Sequence, residues 1–109
     1  MDLSLVIPLF NEEESLSELH KWICQTGEAE KIDFEIVFVN DGSTDSSLEI
    51  LQGLAQQDFR VKVISFRRNH GKSAGLNVGF AAATGDVVIT MDADLQDSPE
   101  EIPGLMKMI

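Results

Sequence analysis

Three observations predict an α/β fold, Rossmann-like, with three layers α/β/α and a mostly parallel sheet. Short runs rich in Val, Ile and Phe alternate with longer segments of helical period. The short runs are almost continuously apolar, as strands covered on both faces are. The connections between them are brief, and strand–helix alternation of this kind implies right-handed crossovers within one sheet.

Each element has its own local reason. Residues 3–8 read as the first strand and residues 13–26 as a helix with Leu16, Leu19 and Ile23 on one face. Residues 34–40 form a second strand, and residues 46–57 a helix carrying Leu48, Leu51 and Leu54 or Ala55. Residues 61–66 are a third strand, followed by a helix over 72–83 that Thr84-Gly85-Asp86 stops at its glycine. Gly71, Gly75 and Gly79 recur along that helix and predict close packing on the sheet. Lys72, Ser73 and Asn77 interrupt the apolarity that a membrane dimer face needs. Residues 87–91 are a fourth strand. Ser98-Pro99-Glu100-Glu101 then supplies an N-cap, a first-turn proline and a capping-box glutamate for a helix over 99–109. That helix ends on apolar Met106, Met108 and Ile109, so the architecture reads as the first part of a larger one.

Composition narrows the function classes. The 109 residues suffice for one small domain, and 43% hydrophobic with 25% charged residues is the balance of a soluble globular chain. A net charge of −11 argues against a nucleic-acid surface and against a polybasic membrane patch. It leaves room for an anionic ligand, because a metal and a few local cations can reverse the sign inside a site. Cys24 is the only cysteine, so no internal disulfide forms, and it reads as a small buried hydrophobe on the first helix. His20 reads as a surface residue. No basic leader precedes the apolar first strand, and no apolar run approaches the ~18 residues of a membrane span. The expected compartment is the cytosol or the cytosolic face of a membrane.

Chemistry collects at the ends of the predicted strands, where ligands bind in open α/β sheets. Asp92-Ala93-Asp94-Leu95-Gln96-Asp97 follows the fourth strand. Two carboxylates one residue apart suit a hard cation such as Mg²⁺ or Mn²⁺ shared with a substrate phosphate, and equally suit an acidic solvated turn. Pro8-Leu9-Phe10-Asn11-Glu12-Glu13-Glu14 follows the first strand; Asn11 is placed to cap the helix, and Phe10 either stacks on a base or plugs the core. Asn40-Asp41-Gly42-Ser43-Thr44-Asp45 follows the second. Its Asp-Gly-Ser is turn chemistry and Thr44 or Asp45 is a cap, yet Asp41 stands where nucleotide binders place a carboxylate. After the third strand, Arg67, Arg68, His70 and Lys72 account for four of the ten basic or histidine residues of the chain. Such clustering at the start of a helix favours an anion site. Two tempting motifs fail: Phe66 replaces the first glycine of a Walker loop ending Gly71-Lys72-Ser73, and no G-x-G-x-x-G follows the first strand.

Four motifs together carry a resemblance. Val6-Ile7-Pro8-Leu9-Phe10-Asn11-Glu12-Glu13, Val39-Asn40-Asp41-Gly42-Ser43-Thr44-Asp45, Arg68-Asn69-His70-Gly71-Lys72 and Asp92-Ala93-Asp94-Leu95-Gln96-Asp97 resemble, in order and spacing, those of family 2 glycosyltransferases. The nearest branch is that of dolichol-phosphate mannosyltransferases and polyprenyl-phosphate (bactoprenol) glucosyltransferases. The resemblance implies the nucleotide-sugar-binding half of a GT-A fold over residues 1–109. It implies transfer of a sugar from a nucleotide-diphosphate sugar, of the UDP-glucose or GDP-mannose class, to a polyprenyl phosphate, with inversion and with Mg²⁺ or Mn²⁺. Donor-binding residues are then Pro8, Phe10, Asn11, Glu12, Val39, Asp41, Lys72, Asp92, Ala93, Asp94 and Gln96, with Asp92 and Asp94 on the metal. No catalytic nucleophile or base is assigned. Phe10 stands where tyrosine is common, and Asn40 where many members have an aspartate. Two other readings remain: a nucleotide-sugar and metal-binding fragment without turnover, and a self-associating fragment pairing through an exposed sheet edge.

Overall fold

The structure is a computed structural model and describes residues 1–94 and Gly104. Gln96 and the capping box at 98–101 lie outside the described residues, as does the expected fourth helix apart from Gly104. The elements run β1 (Leu3–Leu9), α1 (Leu16–Ala29), β2 (Phe34–Asp41), α2 (Ser47–Gln57), β3 (Val61–Phe66), α3 (Lys72–Ala82) and β4 (Val87–Thr90).

The four strands form one sheet in the order β3-β2-β1-β4, and every pairing is parallel. The chain steps outward from β1 to β3, then returns to the other side of β1 for β4. The order therefore reverses between β1 and β4, and the crevice above that point is where open α/β sheets bind ligands.

Strand parity sorts the core into two layers. Leu3, Leu5, Ile7 and Leu9 of β1 and Phe34, Ile36 and Phe38 of β2 pack against Leu16, Leu19 and Ile23 of α1 and Leu51 and Leu54 of α2. Val6, Val37 and Val39 face the other way and meet Leu76, Ala82 and Ala83 around α3. The second layer is thin because α3 lies close: a Cβ on Gly79 would fall 2.3 Å from Val6 Cγ1. The glycine spacing expected to permit close packing does so at Gly79, and at Gly75 a Cβ would sit 3.4 Å from Pro8 Cβ.

A buried charge closes the amino-terminal end of the sheet. Glu35 is 1% exposed on β2. Its Oε2 accepts from Ser4 Oγ at 2.5 Å, from Thr84 N at 2.7 Å and from Thr84 Oγ1 at 2.9 Å. Its Oε1 takes no well-angled hydrogen bond and is held as an ion pair by Lys62 Nζ, 2.6 Å away. Burial raises the carboxyl pKa, but Lys62, Ser4 and Thr84 together outweigh it and bring the value from 4.5 down to about 2.

Several local expectations need correction. The first helix begins at Leu16, not at residue 13, because the preceding turn is tied to the loop after β2. Asn11 does not cap it; Ser15 holds the N-cap position. The cap of α2 is Ser46 rather than Thr44 or Asp45, although Asp45 Oδ1 accepts from Ser47 N at 2.9 Å. The third helix ends at Ala82, before the glycine, and Gly85 serves instead for close approach: a Cβ there would lie 2.6 Å from the Leu3 carbonyl carbon. β4 stops at Thr90. His20 is not a free surface residue, since its side chain is 15% exposed and its Nε2 lies 2.9 Å from Asp58 Oδ2.

Candidate functional site

The carboxyl ends of all four strands converge on one cleft of about 520 Å³. β1 delivers Pro8, Leu9, Phe10 and Glu12, β2 delivers Asp41, and the segment after β4 delivers Asp92, Ala93 and Asp94. The connection from β3 to α3 contributes Asn69, Gly71 and Lys72. Eight of the eleven residues anticipated for donor binding line this cleft. Phe10 is 44% exposed, so it does not plug the core; its ring is available on the rim.

Asn11 and Val39 are placed elsewhere. Val39 is fully buried between the sheet and α3, since its parity on β2 is that of Val37. Asn11 has φ +53° and turns away to stitch the β1 and β2 loops together. Its backbone N donates to Ser43 Oγ at 2.9 Å, and its Oδ1 accepts from Thr44 N at 2.8 Å and from Asp45 N at 3.3 Å. Glu12 N donates to Ser47 Oγ at 3.0 Å, and Ser46 N donates to Glu13 Oε2 at 2.8 Å. Side-chain acceptors thus satisfy backbone donors that neither helix start can satisfy internally.

Asp41 organises the opposite wall. It is 5% exposed, its Oδ1 accepts from His70 N at 2.6 Å and its Oδ2 from Gly71 N at 3.0 Å. Gly42 makes this approach possible: with φ +72°, it lies so close that a Cβ would sit 2.2 Å from the Arg68 carbonyl carbon. A carboxylate has about four acceptor positions, so these two bonds leave Asp41 able to accept from a ligand as well.

Lys72 opens α3 and reaches across to Asp92, with Nζ 3.0 Å from Oδ1. The position beside Asp92 therefore already accommodates a cation. Asp92 and Asp94 are hard oxygen donors on one short segment, which fits Mg²⁺ or Mn²⁺ better than a softer ion. Lys72 and Asp92 are 66% and 45% exposed, so their attraction is weakened by solvent and the pair is readily rearranged.

Leu9, Asn69 and Gly71 lie in the anticipated loops without having been named as donor-binding residues, and Ser15 was not anticipated. Leu9 adjoins Pro8 and Phe10, and Asn69 and Gly71 lie in the Arg68-Asn69-His70-Gly71-Lys72 motif that already pointed to this loop. Ser15 is buried, and its Oγ donates to the Ala93 carbonyl oxygen at 2.6 Å, fixing the acidic segment to the start of α1. The sequence predicts Ser15 inside a helix over 13–26, where nothing marks it; its partner is 78 residues away.

Comparison with known proteins bears on this arrangement. Residues 4–109 match the model of glycosyl transferase family 2. The chain belongs to that family. It is 49% identical, over 95% of its length, to an undecaprenyl-phosphate 4-deoxy-4-formamido-L-arabinose transferase of Pseudomonas fluorescens, covering 31% of that protein. It is 45% identical, over 98% of its length, to a prophage bactoprenol glucosyl transferase homolog of Escherichia coli, covering 35% of it. The chain thus spans about a third of the length of these relatives. Among solved structures, S. aureus TarS 1-349 in complex with UDP-GlcNAc superposes with a TM-score of 0.82 at 27% identity, over 100% of this chain and 31% of that one. A mannosyltransferase of Pyrobaculum calidifontis in complex with GDP-Man and Mn²⁺ gives 0.74 at 25% identity, over 84% and 27%. The parallel sheet and its flanking helices are those of a family 2 glycosyltransferase domain. Among the described residues, no helix is long and apolar enough to cross a membrane.

Proposed function

We propose that this family 2 chain forms the nucleotide-sugar-binding half of an enzyme that transfers a hexose-type sugar from a nucleoside diphosphate, of the UDP-glucose or GDP-mannose class, to a polyprenyl phosphate. The observation that carries the reading is the convergence of Phe10, Asp41, Lys72, Asp92 and Asp94 on one cleft at the strands' carboxyl ends. The printed names of the two relatives, an undecaprenyl-phosphate transferase and a bactoprenol glucosyl transferase homolog, support the acceptor class.

The residues divide the donor among them. The Phe10 ring offers a flat apolar face to the base. Asp41, held rigid by two backbone donors, accepts from a base or ribose N–H or O–H. Lys72 places an ammonium beside the diphosphate. Asp92 and Asp94 hold a divalent cation, which when bound stabilises negative charge on the diphosphate. In the reaction, an oxygen of the acceptor phosphate forms a bond to the anomeric carbon. The bond from that carbon to the diphosphate oxygen breaks, and its electron pair leaves with the diphosphate. Attack from the face opposite the departing diphosphate inverts the anomeric centre. The acceptor oxygen is already ionised, so the step needs little general-base help and no residue is assigned that role. Lys72, which lines the cleft beside Asp92, is assigned the stabilisation of the leaving charge.

A second reading is donor and metal binding without turnover, favoured by a cleft in which no residue is assigned to an acceptor. Calorimetric titration with UDP-glucose and GDP-mannose, with and without Mn²⁺ or Mg²⁺, tests the proposal. Metal-dependent binding is expected with one donor, weakened at least about tenfold, or 1.4 kcal/mol, in Asp92→Ala/Asp94→Ala. A folded protein that binds neither donor overturns it. Transfer of sugar to a polyprenyl phosphate separates the enzyme from the binding fragment.

A further inference from the structure

A second cluster lies well away from the donor cleft, beside the start of β3. His20 and Cys24 stand one helical turn apart on α1 and therefore share a face. Asp58, at the C-cap of α2, completes the group. Asp58 Oδ2 is 2.9 Å from His20 Nε2, Cys24 Sγ is 3.4 Å from His20 Nε2, and Cys24 Sγ is 3.5 Å from Asp58 Oδ2. Zinc bonds of about 2.3 Å to sulfur and about 2.0 Å to nitrogen and oxygen, set at the tetrahedral angle, require spacings of about 3.3 Å for N···O and about 3.5 Å for S···N and S···O. The observed triangle meets two of these and falls short of the third by the distance that separates a hydrogen bond from two ligands of one ion.

We propose that His20 Nε2, Cys24 Sγ and Asp58 Oδ2 form a binding site for a tetrahedral divalent transition metal of the zinc class, with its fourth position open to an adjacent cleft. The donor set of one sulfur, one imidazole nitrogen and one carboxylate oxygen matches zinc and excludes Mg²⁺, which takes oxygen ligands. The adjacent cleft, about 680 Å³, is bordered by all three residues and by Phe59, which is 94% exposed. A water molecule supplies the fourth ligand there.

Arg60 both supports and competes with this site. Its backbone N donates to Asp58 Oδ1 at 3.0 Å and its Nε at 2.9 Å, which fixes the carboxylate with Oδ2 turned toward His20 and Cys24. Outer hydrogen bonds of this kind orient metal ligands. Its Nη2 lies 3.1 Å from Asp58 Oδ2 and 3.4 Å from Cys24 Sγ, and this is the group an incoming ion displaces. In the position observed, the guanidinium also lies 4.5 Å over the Phe34 ring and its Nη2 is 3.8 Å from Glu28 Oε1, so a swing of Nη2 toward Glu28 clears the ion's place. The thiol proton passes to solvent as the S–metal bond forms.

Cobalt titration tests the proposal, because Co²⁺ takes the place of zinc and reports its ligands. The reduced protein is used in the Asp92→Ala/Asp94→Ala background, so that the donor cleft contributes no signal. A thiolate-to-cobalt charge-transfer band with the intense visible bands of tetrahedral Co²⁺ is expected, bleached by one equivalent of Zn²⁺. Cys24→Ser should lose the charge-transfer band and His20→Gln the tetrahedral bands, while circular dichroism shows each variant folded. Absence of a charge-transfer band in the folded parent overturns the site. So does a band that survives Cys24→Ser.

Discussion

Asn11 illustrates how a residue of a binding motif can act without touching a ligand. Its side-chain oxygen accepts from two backbone amides of the next loop, and its backbone N donates to a third partner there. Asn11→Ala is expected to reduce stability by about 1–2 kcal/mol, since two donors lose their acceptor in a partly wet site. Donor affinity should fall too, although no contact with donor is removed. Urea denaturation and calorimetry on the same variant check both. This role was not legible in sequence, because its partners lie 33 and 34 residues away. Asp41, Lys72 and Asp92 were legible, because strand ends are readable and chemistry in open α/β sheets sits there. Val39 was misplaced for the opposite reason: the motif contains it, but the two-residue period of β2 turns it under α3.

At the level of elements, the sequence resolved every described strand and helix, with errors confined to ends. Those errors share a cause. The residues before α1 satisfy their backbone groups on the β2 loop rather than in a helical turn, so tertiary contacts set the boundary. The glycines of α3 were readable as a packing device, and the device is exacting at Gly79. Gly79→Val is expected to destabilise by about 1–3 kcal/mol through overpacking against Val6. Thermal denaturation should register this as a lower Tm, with a smaller change for Gly75→Ala, whose Cβ would sit in ordinary contact 3.4 Å from Pro8 Cβ.

Across the whole molecule, charge is arranged against its average. A chain of net charge −11 keeps Lys72 at the mouth of the cleft and uses Lys62 to hold the buried Glu35. Because the Glu35 pKa falls on folding, from 4.5 to about 2, the ionised form is favoured in the folded state. Its contribution is full above pH 4.5 and is lost as pH falls toward 2. The shift corresponds to a contribution on the order of 3 kcal/mol. Glu35→Gln should therefore be less stable than the parent at pH 7, and the gap should narrow between pH 4.5 and pH 2 in urea denaturation. Nothing in the sequence announced this residue: a glutamate in an apolar strand has its explanation in Ser4, Lys62 and Thr84, which the sheet brings together.

Glu35 and Asp41 stand at opposite ends of the same strand, six residues apart, which is about 20 Å of extended chain. Perturbations separated by more than about 7–10 Å with no shared partner combine additively. β2 therefore carries a buried carboxylate at each pole, Glu35 paired with Lys62 at one and Asp41 facing the cleft at the other, with negligible coupling energy between them. A substitution at Glu35 is therefore expected to change thermostability and leave donor affinity as it was, in contrast to one at Asn11, which ties the cleft's loops together.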